Sequence, residues 1–390
     1  MFIIVGIDVH KDKCVAAFLN RLTGEVNYVE FFTTRASIRS FAEKELRKDM
    51  IVAIEATCNA FFVANELKKY VRKVIMVAPE KHYDGKKTDK TDAYRIALSV
   101  ANNTNKPCWI PSPVIYRLRE LAGFWVSLDQ DIIRLKNKIC ALLMENGIRL
   151  ASKDVFSQKG REELDKVAGE LPPTARMKLR SYLRHLDEAE EDKATLEKYL
   201  ASLAVNEPVV HLLMTIPGVS FVAALIIIGE IGDVSRFSSP KKLTKYAGLV
   251  PSVNQSGNHC YMGRITKAGR KRLRWILVQA ANNAVRVEGR LRDFYLRLKP
   301  KKGHNKAIVA CARKMLVIIW HMLTNGEIYR DCVKRLYNKK KRIMEKKAEN
   351  YVEPDFSDLA SQLYEFLRRE RSPEIPLEDF PEMEGLVKFI

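Results

Sequence analysis

An aspartate stands inside an apolar, β-rich run near the start of the chain, Val5-Gly6-Ile7-Asp8-Val9. A buried carboxylate without a partner is costly, so the strand that carries Asp8 must deliver it to a cation or to donors. Two other stretches supply companions. Glu55 closes the apolar run Val52-Ala53-Ile54-Glu55, and Asp89 and Asp92 lie in Lys87-Thr88-Asp89-Lys90-Thr91-Asp92-Ala93, where a helix begins. Residues three apart on a helix share a face, so both aspartates reach one point. Four gathered carboxylates repel one another unless a cation holds them, and magnesium takes a few carboxylates together with water and phosphate. Either helix aspartate taken alone also fits a plainer role, since acids favour a first helical turn. Asp12, Glu80 and Asp84 read as solvated loop acids.

The surrounding pattern predicts an α/β domain over residues 1–110. Phe2 to Val9, Cys14 to Leu19 and Val26 to Phe32 read as strands, with Thr23-Gly24-Glu25 turning between the last two. Ser37 to Arg47 has helical periodicity, Ile51 to Ile54 a buried strand's composition. Phe61 to Tyr70 then reads as helix, Val74 to Val77 as strand, and Thr88 to Ala101 as a further helix. Three strands in a meander followed by crossover helices give a mixed sheet. The order resembles the ribonuclease-H-like (RuvC-like) nuclease fold. That resemblance implies acids on the first strand, at the end of the fourth and on the last helix, where Asp8, Glu55, Asp89 and Asp92 fall in order.

The chain carries a net charge of +20 over 390 residues, which points to a polyanionic partner, nucleic acid above all. His10, Lys11, Lys86, Lys87 and Lys90 flank the acids, as a rim that holds phosphates would. The seven cysteines are scattered, with no metal-binding pairs, so reduced thiols in a cytoplasmic protein are expected. The most apolar run, Val222 to Ile228, is too short to span a bilayer, and no membrane association is expected.

Pro111-Ser112-Pro113 breaks the chain. Leu118, Leu121, Trp125, Leu128, Ile132 and Leu135 then mark a long amphipathic helix, and Leu171-Pro172-Pro173 precedes a second one running to Leu203. Residues 111–205 thus read as an antiparallel coiled-coil hairpin that serves as a dimerisation arm or spacer, with a helical subdomain packed on its own chain as the plainer alternative. A mainly helical domain follows over 206–335. Ile216-Pro217-Gly218-Val219 is a turn between helices, either a plain one or one whose amides meet phosphate at a helix N-terminus. Pro251 to Gly269 reads as a polar loop. The basic stretch beyond it includes Arg264, Lys267, Arg270, Lys271, Arg272 and Arg274, with Trp275, Phe294 and Tyr295 interleaved; such a mixture suits contact with a nucleic-acid backbone plus stacking. Lys306 to Leu323 reads as a buried closing helix. Residues 336–390 form a charged extension, basic at first and then acidic.

These residues alone point to a metal-dependent enzyme acting on nucleic acid. A junction-resolving nuclease using water and a non-catalytic nucleic-acid binder remain open. The linear order of motifs narrows the choice. The four acids precede a Pro-Gly-Val turn, Ala247-Gly248-Leu249-Val250-Pro251, Gln255-Ser256-Gly257 and Lys267-Ala268-Gly269, before a basic helix. Together they resemble the DEDD insertion-sequence transposases, the "IS-one-ten" family of RNA-guided recombinases, over roughly residues 3 to 330.

The resemblance implies that Ser256 is the nucleophile and forms a phosphoserine link to DNA, with Ser252 and Thr266 as rival hydroxyls. A serine before glycine is more often a turn residue, and a nucleophilic serine needs activation; a metal on the acids would supply it. The resemblance further implies Mg2+, with Mn2+ as the substitute, held by Asp8, Glu55, Asp89 and Asp92. It implies a structured bridge RNA pairing with donor and target DNA, a homo-oligomer (dimer or tetramer) in which one chain's acids serve another's serine, and work at the prokaryotic nucleoid.

Overall fold

The computed structural model describes residues 3–79, 88–256, 259–351 and 357–369. The chain divides into two compact units, Met1–Pro111 and Ser112–Ile390.

In the first unit, β1 (Ile3–Val9), β2 (Lys13–Asn20) and β3 (Val26–Phe32) form an antiparallel meander. β4 (Ile51–Glu55) lies parallel to β1, and β5 (Lys73–Val77) parallel to β4. A short edge strand that the sequence pattern does not announce, β6 (Pro107–Cys108), completes a six-stranded mixed sheet of order β3-β2-β1-β4-β5-β6. Helix α1 (Arg35–Glu45) is capped by Thr34, whose side chain accepts from the Ser37 amide. It shares one face of the sheet with α2 (Ala60–Leu67), and there Val5, Ile7, Val9, Val52 and Ile54 meet Ile38, Phe41, Val63 and Leu67. Phe31 stacks on Phe41 with centroids 4.0 Å apart.

The other face belongs to α3 (Asp89–Ala101), which packs Ile96, Ala97 and Val100 on Ile4, Leu19, Ala53 and Val77. Alternation along β1 sends Val5, Ile7 and Val9 to one face and Ile4, Gly6 and Asp8 to the other. Gly6 sets the distance. A Cβ on it would stand 2.1 Å from the Ala93 carbonyl oxygen and 2.5 Å from the Ala97 amide nitrogen, so the helix backbone lies directly on the strand. That approach brings the N-terminus of α3 beside Asp8.

The second unit opens with α4 (Pro113–Glu145), capped by the Ser112 hydroxyl, and α6 (Pro173–Ala204), with the shorter α5 (Gln158–Val167) between them. α4 and α6 run antiparallel over a core of Ile132, Ile139, Leu142, Leu143, Leu164, Leu179 and Leu186. Lys193 pairs with Asp129 and Lys136 with Glu190 across them. These helices do not stand apart as an arm. α4 also packs on α8 (Phe221–Ile231), every residue of which is buried. Beyond α7 (Pro208–Met214) and α8 come α9 (Pro240–Tyr246), the hairpin β7 (Pro251–Ser256) and β8 (His259–Ile265), α10 (Lys271–Ala284), α11 (Arg290–Lys302) and α12 (His304–Asn325). The stretch read as a polar loop is therefore mostly a β-hairpin; its residues show no alternation because neither face is a core face.

The Pro217-Gly218 turn packs on α10: a Cβ on Gly218 would stand 2.3 Å from the Ala280 carbonyl oxygen. Pro217 and Val219 are buried, which leaves the turn its plainer structural role rather than a phosphate contact. α12 is the one helix among the described residues long and apolar enough to cross a membrane. Its apolar stripe, from Ala307 through Cys311, Met315 and Ile319, is buried within this unit.

The charged extension begins with a helix that belongs to this body. In α13 (Lys334–Glu349), Tyr337 and Met344 are buried, and Lys340 Nζ donates to the carbonyls of Met214, Ile216 and Val219. The ammonium thereby terminates α7 and braces the Pro-Gly turn, and burial pulls it down to about 8. Tyr337 Oη meets His211 Nδ1 at 2.9 Å. α14 (Ser357–Arg369) packs on α4 and α6.

Next to these groups lies Glu207, buried at the start of α7, with no hydrogen-bond partner for Oε2 among the described residues. Burial pushes its carboxyl from 4.5 up to about 8. The unfolded chain releases that proton near 4.5 and the folded chain near 8. The group's contribution to stability is therefore complete below 4.5, declines as pH rises and is lost above 8. Glu207→Gln should flatten this slope and exceed the wild-type stability by about 2–4 kcal/mol at alkaline pH, measured by urea unfolding as a function of pH.

Candidate active site

Asp8 is the deepest of the acids, with only 5% of its surface exposed. Burial raises its carboxyl above the ordinary aspartate range, His10 opposes the shift, and the Asp92 and Asp89 carboxylates push it further up. Thr88 caps α3 by accepting from the Thr91 amide, which fixes Asp89 and Asp92 in the first turn. Glu55 is the last residue of β4, and the parallel register pairing Ile7 with Ile54 carries Asp8 and Glu55 to adjacent strand ends.

Asp8, His10 and Asp89 form one cluster, each offering a ligand atom within 4.8 Å of the others. His10 Nε2 is 3.0 Å from Asp8 Oδ2 and 3.4 Å from Asp89 Oδ1. Asp92 stands just outside, with Arg95 Nη1 3.8 Å away. A buried carboxylate facing like charges at an open rim fits a hard divalent cation, which those oxygens would hold and whose charge they need. Sequence reasoning placed His10 in the outer basic rim. Its spacing of two from Asp8, the same-face spacing of a strand, was the signal for its real position. Lys90 lies over the Tyr28 ring at 5.8 Å, and Lys87 falls outside the described residues.

Ser256 ends β7, opposite His259. The hairpin's base is closed by a backbone seam: Thr266 donates to Val250 O, Lys267 to Gly248 O and Arg270 to Tyr246 O, at 2.9, 3.2 and 3.0 Å. Gly248 and Gly269 permit it. A Cβ on Gly269 would stand 2.1 Å from the Tyr246 carbonyl oxygen, and one on Gly248 2.5 Å from that of Ala268. The Ala-Gly-Leu and Lys-Ala-Gly motifs are thus the two halves of a clamp that presents the hairpin. Of the rival hydroxyls, Ser252 packs against Gly263, where a Cβ would meet its Oγ at 2.4 Å. Thr266 lies in the seam itself.

The basic helix divides by role. Arg270 Nε and Arg272 Nη1 hold the buried Glu230 carboxylate at 2.5 and 2.9 Å, and Arg274 Nη1 donates to Ala247 O at 2.8 Å. Arg119 from α4 donates to the carbonyls of Gly229 and Glu230 at the end of α8, where cationic groups are favoured. Arg270, Arg272 and Arg274, expected to contact nucleic acid, thus each have a partner within the chain. Arg264, Lys267 and Lys271 remain exposed. The signal missed was Glu230, a lone acid in an otherwise apolar helix.

The first unit is an acid-bearing mixed sheet, and the second a helical body that carries the β7–β8 hairpin. A family model of DEDD transposases of IS110 elements, described as "Transposase", matches residues 5–146, and one described as "Transposase IS116/IS110/IS902 family" matches residues 210–296. The transposase for insertion sequence element IS1111A of Coxiella burnetii is 31% identical over 252 residues, covering 63% of this chain and 68% of that protein. The transposase for insertion sequence element IS1328 of Yersinia enterocolitica is 25% identical over 298 residues, covering 72% and 85%. The chain belongs to the IS110 family of DEDD transposases. It is an insertion-sequence transposase, an enzyme that cuts and rejoins DNA.

Removing one partner from a buried ion pair leaves the other charge uncompensated. Arg270 and Arg272 are partly exposed, so Glu230→Gln should lower unfolding free energy by about 1–3 kcal/mol, read from denaturant midpoints, while Lys271→Gln leaves stability unchanged.

Proposed function

We propose that this transposase breaks and rejoins DNA through a phosphoserine intermediate. Ser256 Oγ attacks a DNA phosphorus atom; an Oγ–P bond forms, the bond from phosphorus to the leaving deoxyribose oxygen breaks, and that oxygen takes up a proton. A second DNA hydroxyl then attacks the phosphoserine and releases the serine, so bonds are conserved and no external energy source enters. Asp8, Glu55, Asp89 and Asp92 hold Mg2+, or Mn2+ in its place, on a ribonuclease-H-like domain. When bound, such a cation would neutralise charge on the phosphate.

A structured bridge RNA pairs with donor and target DNA. Lys87, Lys90, Arg264, Lys267 and Lys271 contact nucleic-acid backbone, and the chain works as a dimer or tetramer in the cytoplasm, at the bacterial nucleoid. The observation that carries this reading is the convergence of Asp8 and Asp89 on one point beside α3. The strand order β3-β2-β1-β4-β5, with the acids at strand ends and in the first turn of α3, supports the fold assignment.

Incubation with DNA and Mg2+ should yield a protein–DNA adduct that survives denaturation. Ser256→Ala should abolish it, and Asp8→Asn or Asp89→Asn should reduce it at least about a hundredfold. Hydrolytic products with no adduct would instead establish water as the nucleophile, and strand transfer unchanged when RNA is omitted would remove the guide.

A further inference from the structure

His10 is the least expected member of the acidic cluster. Its backbone is tied at both ends: the His10 amide donates to Lys13 O at 3.0 Å, and Thr33 Oγ1 donates to His10 O at 2.9 Å. The ring is thus carried on a fixed turn at the end of β1, with its side chain 53% exposed. Ligand bonds of about 2.0–2.1 Å to an octahedral ion separate neighbouring donor atoms by about 3 Å. The separations from His10 Nε2 to Asp8 Oδ2 and Asp89 Oδ1, 3.0 and 3.4 Å, are close to that spacing, and the two carboxylates come from independent elements.

We propose that His10 is a nitrogen ligand of the metal held by Asp8 and Asp89, and that it tilts the site from magnesium toward manganese and the later first-row divalent ions. Oxygen donors suit Mg2+, whereas imidazole favours transition metals in the order of their general affinity. Rigid placement matters for the same reason: a ligand that needs no reordering adds its full share to selectivity. The inference rests on the reading of the acids as a metal site, and the experiment separates the two.

The probes are Mn2+ and Mg2+ alone, titrated into the full-length protein. In wild type, pulsed electron paramagnetic resonance of bound Mn2+ should show modulation from a directly bonded 14N nucleus. His10→Ala should abolish that modulation and lower the preference for Mn2+ over Mg2+ about tenfold. His10→Gln, which offers an oxygen at similar reach, should keep Mg2+ binding while losing the nitrogen signal. Thermal unfolding of both variants should match wild type, since the ring is half exposed. Mn2+ bound in an Asp89-dependent way without nitrogen modulation, or an unchanged metal preference in His10→Ala, overturns the assignment of His10 and leaves the acidic site standing. If neither ion binds wild type any better than Asp89→Asn, the metal reading and the His10 proposal both fall.

Discussion

The close approach of α3 to β1 is the contact on which the acidic site depends. Gly6 has no side chain, and Ala93 and Ala97 offer little, so helix backbone rests on strand backbone. Any larger residue at position 6 would lift the helix and withdraw Asp89 from Asp8. Alternation does the rest, because the face that holds Gly6 also holds Asp8. The site combines two backbone frames in contact, a strand end and a helix start, and its geometry does not rely on a long loop. Such a frame preserves the spacing of charged groups that would otherwise spread apart.

The second unit uses the same device. Gly248 and Gly269 let two segments meet backbone to backbone, closing the base of the β7–β8 hairpin. Beneath that seam, Glu230 is buried at the end of α8 and bound by Arg270 and Arg272, while Arg119 covers the neighbouring carbonyls. The hairpin is therefore carried on a rigid, charge-compensated base, although a two-stranded hairpin alone is marginal in water. A buried ion pair of this kind adds little net stability against an apolar alternative; here it ties the start of α10 to the end of α8.

The extension past residue 335 starts as part of this architecture. Lys340 donates to carbonyls at the end of α7 and in the Pro-Gly turn, and so shares the Ile216 oxygen with the Val219 amide. Tyr337 meets His211 over the same region. A run of lysines with little apolar content gives no sign of this in sequence, because the burial of one ammonium among many solvated ones depends on which face of the helix meets the body.

Read alone, the sequence determined the strand and helix order of the first unit apart from the edge strand β6, the stations of Asp8, Glu55, Asp89 and Asp92 along it, and the family motifs in their linear order. Those features are local: alternation, helical periodicity and capping need only neighbours in the chain. The tertiary structure decided the rest. It drew His10 into the acidic cluster, turned a polar loop into a hairpin, and merged the expected coiled-coil arm with the C-terminal helices. It also committed Arg270, Arg272 and Arg274 to partners inside the chain. Each of these outcomes joins groups distant in sequence, as with Glu230 and Arg270, and pairing of that kind is set by which faces are left to meet once the cores have closed.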